Sequence, residues 1–468
     1  MVDKNILNTV LKLSKSVKTL RNKEGKIGYE EFFDPRRSDK FYQELGAKLI
    51  DLIETNKAYE SFKILDYDWV IDNSHPLANY SPMYRELKQK ESKYSKLNIV
   101  DLFCGAGGLS LGFVQNGFEV SLANDIDDSC IYTYTHNHPS VPQDNILLGD
   151  INSIIKDIGN YVRFENTDVV VGGPPCQGFS MANRQRIKDD PRNKLYKYFI
   201  EAVKTLKPKV FVMENVKGMR NVAEQVVEDF LEIGYFTSFE VLNAKDYSVP
   251  QNRERLIFIG TKNAKDSEKI FESIKTSSSK YNHYVLQDAL FGLPELQAST
   301  KKNATNAYDN SGGLVMPISE NNTNEYIDLI NNGKMQYVIL NGKARYNNDR
   351  DIEIYRRLHQ GDDSTDIKIK DIMPYKSRSH IFKDKYYKLK ENEVCKTITA
   401  HMKYDCNMYI HPRQARGLTP RETARIQSFP DDYFFQGPYT KTYMQIGNSV
   451  PPLLGKVISE AIRMYLRR

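Results

Sequence analysis

The chain has 468 residues, 40% of them hydrophobic, and a net charge of +6. That length holds two or three domains, and the apolar content is ample for a core. No apolar run approaches the roughly 20 residues that span a bilayer, and five widely spaced cysteines argue against a disulfide framework and suit a reducing cytoplasm. The positive balance is compatible with nucleic acid without demanding it.

Residues 1–95 read as a helical extension. Ile6, Val10, Leu13, Val17 and Leu20 recur at helical spacing, as do Phe41, Leu45, Leu49 and Ile53. The extension serves either as a helical cap or as a small helix-turn-helix module. From Asn98, strands and helices alternate. Strands are predicted at Ile99–Phe103, Glu119–Ala123, Asn145–Leu148, Asp168–Val171, Lys209–Glu214, Thr237–Leu242 and Leu256–Gly260, with helices between them such as Arg192–Leu206. This pattern is an α/β, doubly wound, mostly parallel sheet. After Thr261 the alternation fails. Residues 295–350 are rich in Asn, Ser, Thr and Lys, Asp351–His359 reads as a helix, and Tyr386–Ile410 reads as strands around Thr397-Ile398-Thr399 and Tyr409-Ile410. A smaller, irregular β-rich domain is therefore expected over 263–412. Residues 413–468 return to the sheet domain (96–262) through a last helix, Leu453–Tyr465.

Two loops carry the chemistry. Gly172-Gly173-Pro174-Pro175-Cys176-Gln177-Gly178-Phe179-Ser180 follows a buried apolar run. Its glycines and prolines force a stiff turn that presents one thiol at the carboxyl end of a strand, where an α/β protein places a nucleophile. An inert core cysteine is the plainer alternative, but a core thiol needs no such frame. The segment from Asn98 to Phe113, NIVDLFCGAGGLSLGF, is a strand, a glycine turn and a helix start, suited to close approach of a ligand. Further on stand Met213-Glu214-Asn215-Val216, Gln251-Asn252-Arg253-Glu254-Arg255, Arg416-Gly417-Leu418-Thr419-Pro420-Arg421-Glu422 and Gly447-Asn448-Ser449-Val450-Pro451.

This ordered set resembles the DNA cytosine-5 methyltransferase family from about Asn98 onward, more weakly between Lys262 and Lys390. The resemblance implies a Rossmann-like domain with a final antiparallel strand, and a target-recognition domain. It also implies methyl transfer from S-adenosylmethionine to cytosine carbon 5, with S-adenosylhomocysteine as product and no metal. Cys176 is the implied nucleophile: its thiolate adds to carbon 6, so that carbon 5 can attack a methyl sulfonium. Glu214, expected to be buried and to keep its proton, meets cytosine N3. Asn215 fixes the Pro-Pro-Cys loop, Arg255 reaches the base and Arg253 helps position the loop. Period-two alternation puts both arginines on one side of the sheet. For the cofactor, Phe103, Gly105, Gly107 and Pro174 line the site, and Asp125 takes the ribose hydroxyls. The family more often has Glu there, so an Asp at this position is one methylene short. Ile126 packs on the adenine, Asp150-Ile151 meet its amino group, and Asn448 and Ser449 close the site. Acids at strand ends are also ordinary helix caps.

The substrate expected is double-stranded DNA, from which the cytosine is flipped out. Arg184, Arg186 and Arg192 are candidate DNA contacts, and so are Thr397 and Ile398 within Lys396–Ile410. Cys395, His401, Cys406 and His411 lack zinc-ligand spacing. Cys104 and Cys130 read as core thiols. The resemblance further suggests a monomeric, cytoplasmic prokaryotic enzyme whose functional partner is a cognate restriction endonuclease. Two alternatives compete with this reading. The tRNA-methylating branch carries a Cys-Phe-Thr signature that this chain lacks. A catalytically dead regulatory protein would have lost Cys176, Glu214 or one of the arginines, and all are present.

Overall fold

Short β-branched runs bounded by glycine, proline or polar residues form the seven strands of the central sheet. The structure, a computed structural model, describes residues 97–162, 167–175, 195–302, 309–317, 323–333, 336, 338–374 and 385–467. The helical extension expected over 1–95 lies outside them. The strands are β1 (Asn98–Leu102), β2 (Glu119–Asp125), β3 (Ile146–Leu148), β4 (Val169–Gly172), β5 (Val210–Val216), β6 (Phe236–Asn243) and β7 (Glu254–Thr261). Their order is β3-β2-β1-β4-β5-β7-β6. β1 through β5 pair in parallel, and β7 runs antiparallel to both β5 and β6. The order reverses between β1 and β4, so their carboxyl ends open a crevice where doubly wound folds bind ligands.

Among the described residues five helices connect the strands, α1 (Gly108–Gln115), α2 (Asp128–Asn137), α3 (Ile151–Tyr161), α4 (Leu195–Leu206) and α5 (Ala223–Glu232), and α6 (Asp266–Ser277) follows β7. Apolar residues three and four apart on α3, α4 and α5 meet Val100, Leu102, Val170, Phe211, Met213, Leu256 and Phe258 in one core. The Phe211 ring stacks on Phe230 at 3.9 Å between centroids. Gly260 makes room for it, since a Cβ there would lie 2.0 Å from the ring.

A return helix, Pro452–Leu466, packs on α1 at two glycines. A Cβ on Gly112 would sit 2.3 Å from the Lys456 nitrogen, and one on Gly455 would sit 2.8 Å from the Leu109 carbonyl oxygen. The close approach lets Asn116 Nδ2 donate to Lys456 O (2.6 Å) and Ser459 Oγ donate to Gly112 O (3.1 Å).

Contacts divide the chain into two units, residues 97–283 with 449–467 and residues 284–448. The alternation thus continues one helix, α6, beyond the expected break at 262. The return to the sheet unit starts at Ser449 rather than at 413. In the second unit, α7 (Asp349–Arg357) anchors a core of Ile354, Tyr355, Leu358, Ile369, Tyr386 and Ile410. Its β structure consists of short pieces, such as the antiparallel ladder of Val315–Pro317 with Val338–Leu340. Thr397-Ile398-Thr399 is not a strand. The Tyr409 hydroxyl donates to Thr397 O at 2.6 Å, and the chain then turns through a 3-10 helix at Ala400–Lys403. Ile410 makes only isolated bridges.

Candidate active site

β4 ends in the sequence Gly172-Gly173-Pro174-Pro175, and close quarters explain the two glycines. A Cβ on Gly172 would lie 2.4 Å from Leu102 O, and one on Gly173 would lie 3.0 Å from Glu214 Oε2. The loop can therefore run against the ends of β1 and β5. Asn215 Nδ2 donates to Pro174 O at 2.9 Å, tying β5 to the proline pair. Cys176, Arg184, Arg186 and Arg192 lie outside the described residues.

Glu214 and Arg255 form a nearly buried ion pair, with Nε 2.7 Å from Oε1. Antiparallel pairing brings them together, because Glu214 faces Ile257 and Val216 faces Arg255 in the β5–β7 register. Sequence reasoning places Glu214 as a buried acid at cytosine N3 and sends Arg255 to the base, without pairing the two. The structure adds a guanidinium that engages one of its oxygens and leaves Oε2 towards Gly173. Burial lowers the Arg255 guanidinium from its ordinary value, and Glu214 opposes that shift.

Arg253 is not a twin of Arg255. It is fully buried, and its Nη2 donates to Ser449 O at 2.7 Å, so it ties the segment before β7 to the return segment. Its backbone N–H donates to Asn243 Oδ1 at 3.1 Å.

On the other side of the crevice, the β1–α1 loop holds three left-handed residues, Phe103 (φ 55°), Gly105 (φ 54°) and Gly107 (φ 81°). The phenylalanine is the costly one, and such strain gathers at ligand sites. The Asp125 carboxylate accepts from Gly105 N through Oδ2 and from Asp127 N through Oδ1, both at 2.8 Å. It braces the loop. Burial raises its pKa, against the pull of these amides. Ile126 leaves 72% of its surface in solvent, an uncovered apolar side chain on the turn after β2. Asp150 caps α3 by accepting from Asn152 N at 2.9 Å. Ile151 is buried in the core beside Ile155 and Ile158, so its side chain cannot meet an adenine as expected. The first turn of an amphipathic helix points that side chain inward.

The family described as C-5 cytosine-specific DNA methylase matches residues 97–464 of this chain. The chain belongs to that family. Among curated relatives it is 32% identical over 395 residues to the Type II methyltransferase M.DdeI of Desulfomicrobium norvegicum, covering 79% of this chain and 89% of the relative. It is 34% identical over 376 residues to M1.HphI of Haemophilus parahaemolyticus, covering 78% and 86%. Among solved structures, it superposes with a TM-score of 0.61 on a protein assigned as a DNA modification methyltransferase encoded within an E. coli prophage. The two are 27% identical, and the match covers 80% of this chain and all of that one. The methylase transfers a methyl group to cytosine carbon 5 in DNA.

One polar cluster of the methylase escaped the sequence reading. Asp101 sits within β1 and is buried, with the Tyr134 hydroxyl 3.3 Å from Oδ2. That hydroxyl is also 3.0 Å from Ser110 Oγ, and Ser110 Oγ donates to Gly107 O at 3.2 Å. Burial pushes Asp101 up to about 7, against the pull of the Ser110 and Tyr134 hydroxyls and with a further push from Asp125. A lone acid inside the apolar run of β1 was the available signal.

In the second unit, Ile398 is fully buried, which removes its side chain as a DNA contact. Thr397 is half-buried. Asn448 ends α9 (Tyr439–Asn448) and is exposed, and the adjoining Ser449 is buried. The segment from Arg416 to Glu422 is scaffold. Arg416 grips Glu422 with two parallel bonds, Nη1–Oε2 at 2.8 Å and Nη2–Oε1 at 2.6 Å, where Glu422 caps α8 (Pro420–Ile426). Burial opposes ionisation of Glu422, but Arg416 outweighs it and holds the carboxyl at about 2. Cys395 and Cys406 are buried thiols pushed up to about 12 and 11. Among the described residues no three His, Cys, Asp or Glu side chains converge as metal ligands do. No helix among them is long and apolar enough to cross a membrane.

Proposed function

We propose that the methylase modifies one cytosine of a duplex recognition sequence as the counterpart of a restriction endonuclease, with Cys176 as nucleophile and S-adenosylmethionine as methyl donor. The Glu214–Arg255 pair beside the proline loop carries this reading. Such a pair fixes a carboxyl near the end of β5, beside the end of β4 from which the loop leading to Cys176 departs.

The residues present fit the cofactor. The left-handed loop exposes backbone to a ligand, Ile126 offers an uncovered apolar face, and the Asp125 oxygens keep lone pairs beyond the amides they accept from. Phe103, Asp150, Pro174, Asn448 and Ser449 complete the proposed set, and the bound cofactor supplies an electrophilic methyl group.

The chain's own residues prepare carbon 5. The Cys176 thiolate forms a bond to carbon 6 while Glu214 shares a proton with N3, so electron density moves to carbon 5. Arg255 holds Oε1 and points Oε2 at the base. Once carbon 5 bears the methyl group, whose departure leaves the donor sulfur as a neutral thioether, carbon 5 gives its proton to water, the Sγ–C6 bond breaks, N3 returns its shared proton to Glu214, and the thiolate and the aromatic ring are restored.

The test is tritium transfer from labelled S-adenosylmethionine to unmodified duplex DNA and to tRNA, followed by nucleoside analysis. Label should appear in 5-methylcytosine from DNA and vanish in Cys176→Ser. In Glu214→Gln the rate should fall by about 100-fold or more. Label confined to tRNA, or undiminished activity in Cys176→Ser, overturns the proposal.

A further inference from the structure

The second unit holds a concavity of about 370 Å³ that no role described so far uses. Its walls include Lys301, Lys302, Arg345, Tyr346, Tyr404 and Tyr439. Both lysines are exposed, and among the described residues neither is paired with a carboxylate. The Lys302 ammonium lies 5.4 Å from the centre of the Tyr346 ring.

Arg345 is committed to the architecture. Its Nη1 donates to Met402 O (2.7 Å) and its Nη2 to Tyr404 O (2.5 Å), so it grips the end of the 3-10 turn Ala400–Lys403. The grip holds Tyr404 outward with 63% of its surface in solvent, flanked by the His401 ring at 5.1 Å and the Lys403 ammonium at 4.9 Å. The two lining acids are already engaged. Asp351 accepts from Tyr386 and Asn348, each at 2.9 Å, and Asp405 accepts from Asn407 N at 3.1 Å. The remaining buried cation, Lys343, is neutralised by Asp309 at 2.7 Å. The lining cations Lys301, Lys302, Lys343 and Arg345 outnumber the lining carboxylates Asp351 and Asp405, which leaves net positive charge beside the exposed Tyr404 ring. That pairing suits a polyanion carrying planar bases better than a free inorganic anion.

We propose that this concavity is a DNA subsite separate from the reacting cytosine, in which Lys301 and Lys302 neutralise backbone phosphates and Tyr404 packs against a sugar or base. The proposal rests on DNA being the substrate. Each phosphate neutralised releases condensed counterions, so its signature is the salt dependence of binding rather than affinity at one condition.

The experiment is fluorescence anisotropy with a labelled 30-base-pair duplex of mixed sequence, titrated with full-length protein from 50 to 300 mM KCl. Relative to wild type, Lys301→Gln/Lys302→Gln should flatten the slope of log K against log[KCl] by about 1.8, or 0.9 per phosphate. Tyr404→Ala should weaken binding by about tenfold with its slope unchanged. Thermal midpoint and S-adenosylmethionine affinity should match wild type in both, because the substituted side chains are at the surface. A lysine double variant that is folded and has the wild-type slope overturns the subsite and leaves DNA methylation standing. A wild-type protein that binds and methylates no DNA overturns the underlying reading as well.

Discussion

The substitution Gly112→Ala sets helix propensity against packing, and the structure decides the sign. In an exposed helix interior, exchanging glycine for alanine stabilises by about 1 kcal/mol. Gly112, however, is where α1 meets the return helix, and the new Cβ would lie 2.3 Å from Lys456 N, 2.4 Å from Gly455 C and 2.6 Å from Pro452 O. All three are backbone atoms, so no side chain can rotate away. The helices must part by roughly 1 Å to reach ordinary contact near 3.5 Å. That movement loosens the bonds from Asn116 to Lys456 and Ser459, from Ser459 to Gly112 and from Arg463 to Asn116. Overpacking of this kind costs about 3 kcal/mol, which leaves a net loss of about 2 kcal/mol after the propensity gain. In a unit of this size that lowers Tm by about 4–8 °C. Gly159→Ala, at an exposed position of α3, is the matched control and should gain about 1 kcal/mol. Urea unfolding followed by circular dichroism measures both. A Gly112→Ala midpoint at or above wild type would refute the crossing and the reasoning built on it.

Asp101 predicts a pH effect of defined sign. Its carboxyl is raised from 3.8 to about 7 in the fold, so its contribution to stability is fully present below the unfolded value and is lost as pH rises through about 7. Asp101→Asn should therefore gain on wild type by about 2.5 kcal/mol between pH 5 and pH 8, and parallel urea curves at the two pH values would disprove this. The Arg416–Glu422 fork predicts strong coupling. Arg416→Leu alone leaves a buried carboxylate unpaired and should cost about 3–5 kcal/mol, whereas adding Glu422→Leu should recover most of it. Equal losses in the single and double variants would count against the pair.

The sheet was legible because its strands are short Val- and Ile-rich runs between glycine and proline, a pattern that depends on local residues alone. Each of the seven expected strands overlaps an observed one, with ends shifted by two residues at most. What was not legible depends on the partner each residue finds. Alternation placed Arg253 and Arg255 together, but the pairing breaks between Asn252 and Glu254, so a period-two argument does not carry across Arg253. Ile398 resembled a contact residue by position, yet an isoleucine gains more from burial than from a polar groove. The Thr419-to-Glu422 capping box could be read as a helix start. That its helix is buried at every residue, and belongs to residues 284–448, follows from contacts distant in sequence, such as Arg421 Nε to Leu340 O.

The helix crossing at Gly112 also orders events in time. Ser459 and Gly112 are 347 residues apart, and at 5–20 residues per second a ribosome needs about 20–70 s between them. Residues 284–448 are continuous in the chain and can emerge whole within that interval. The helix that follows the glycine loop meanwhile waits for its partner. A nascent chain halted in that interval would therefore carry the second unit without a finished sheet unit. Synthesis order delays the capacity to modify until after the second unit has emerged.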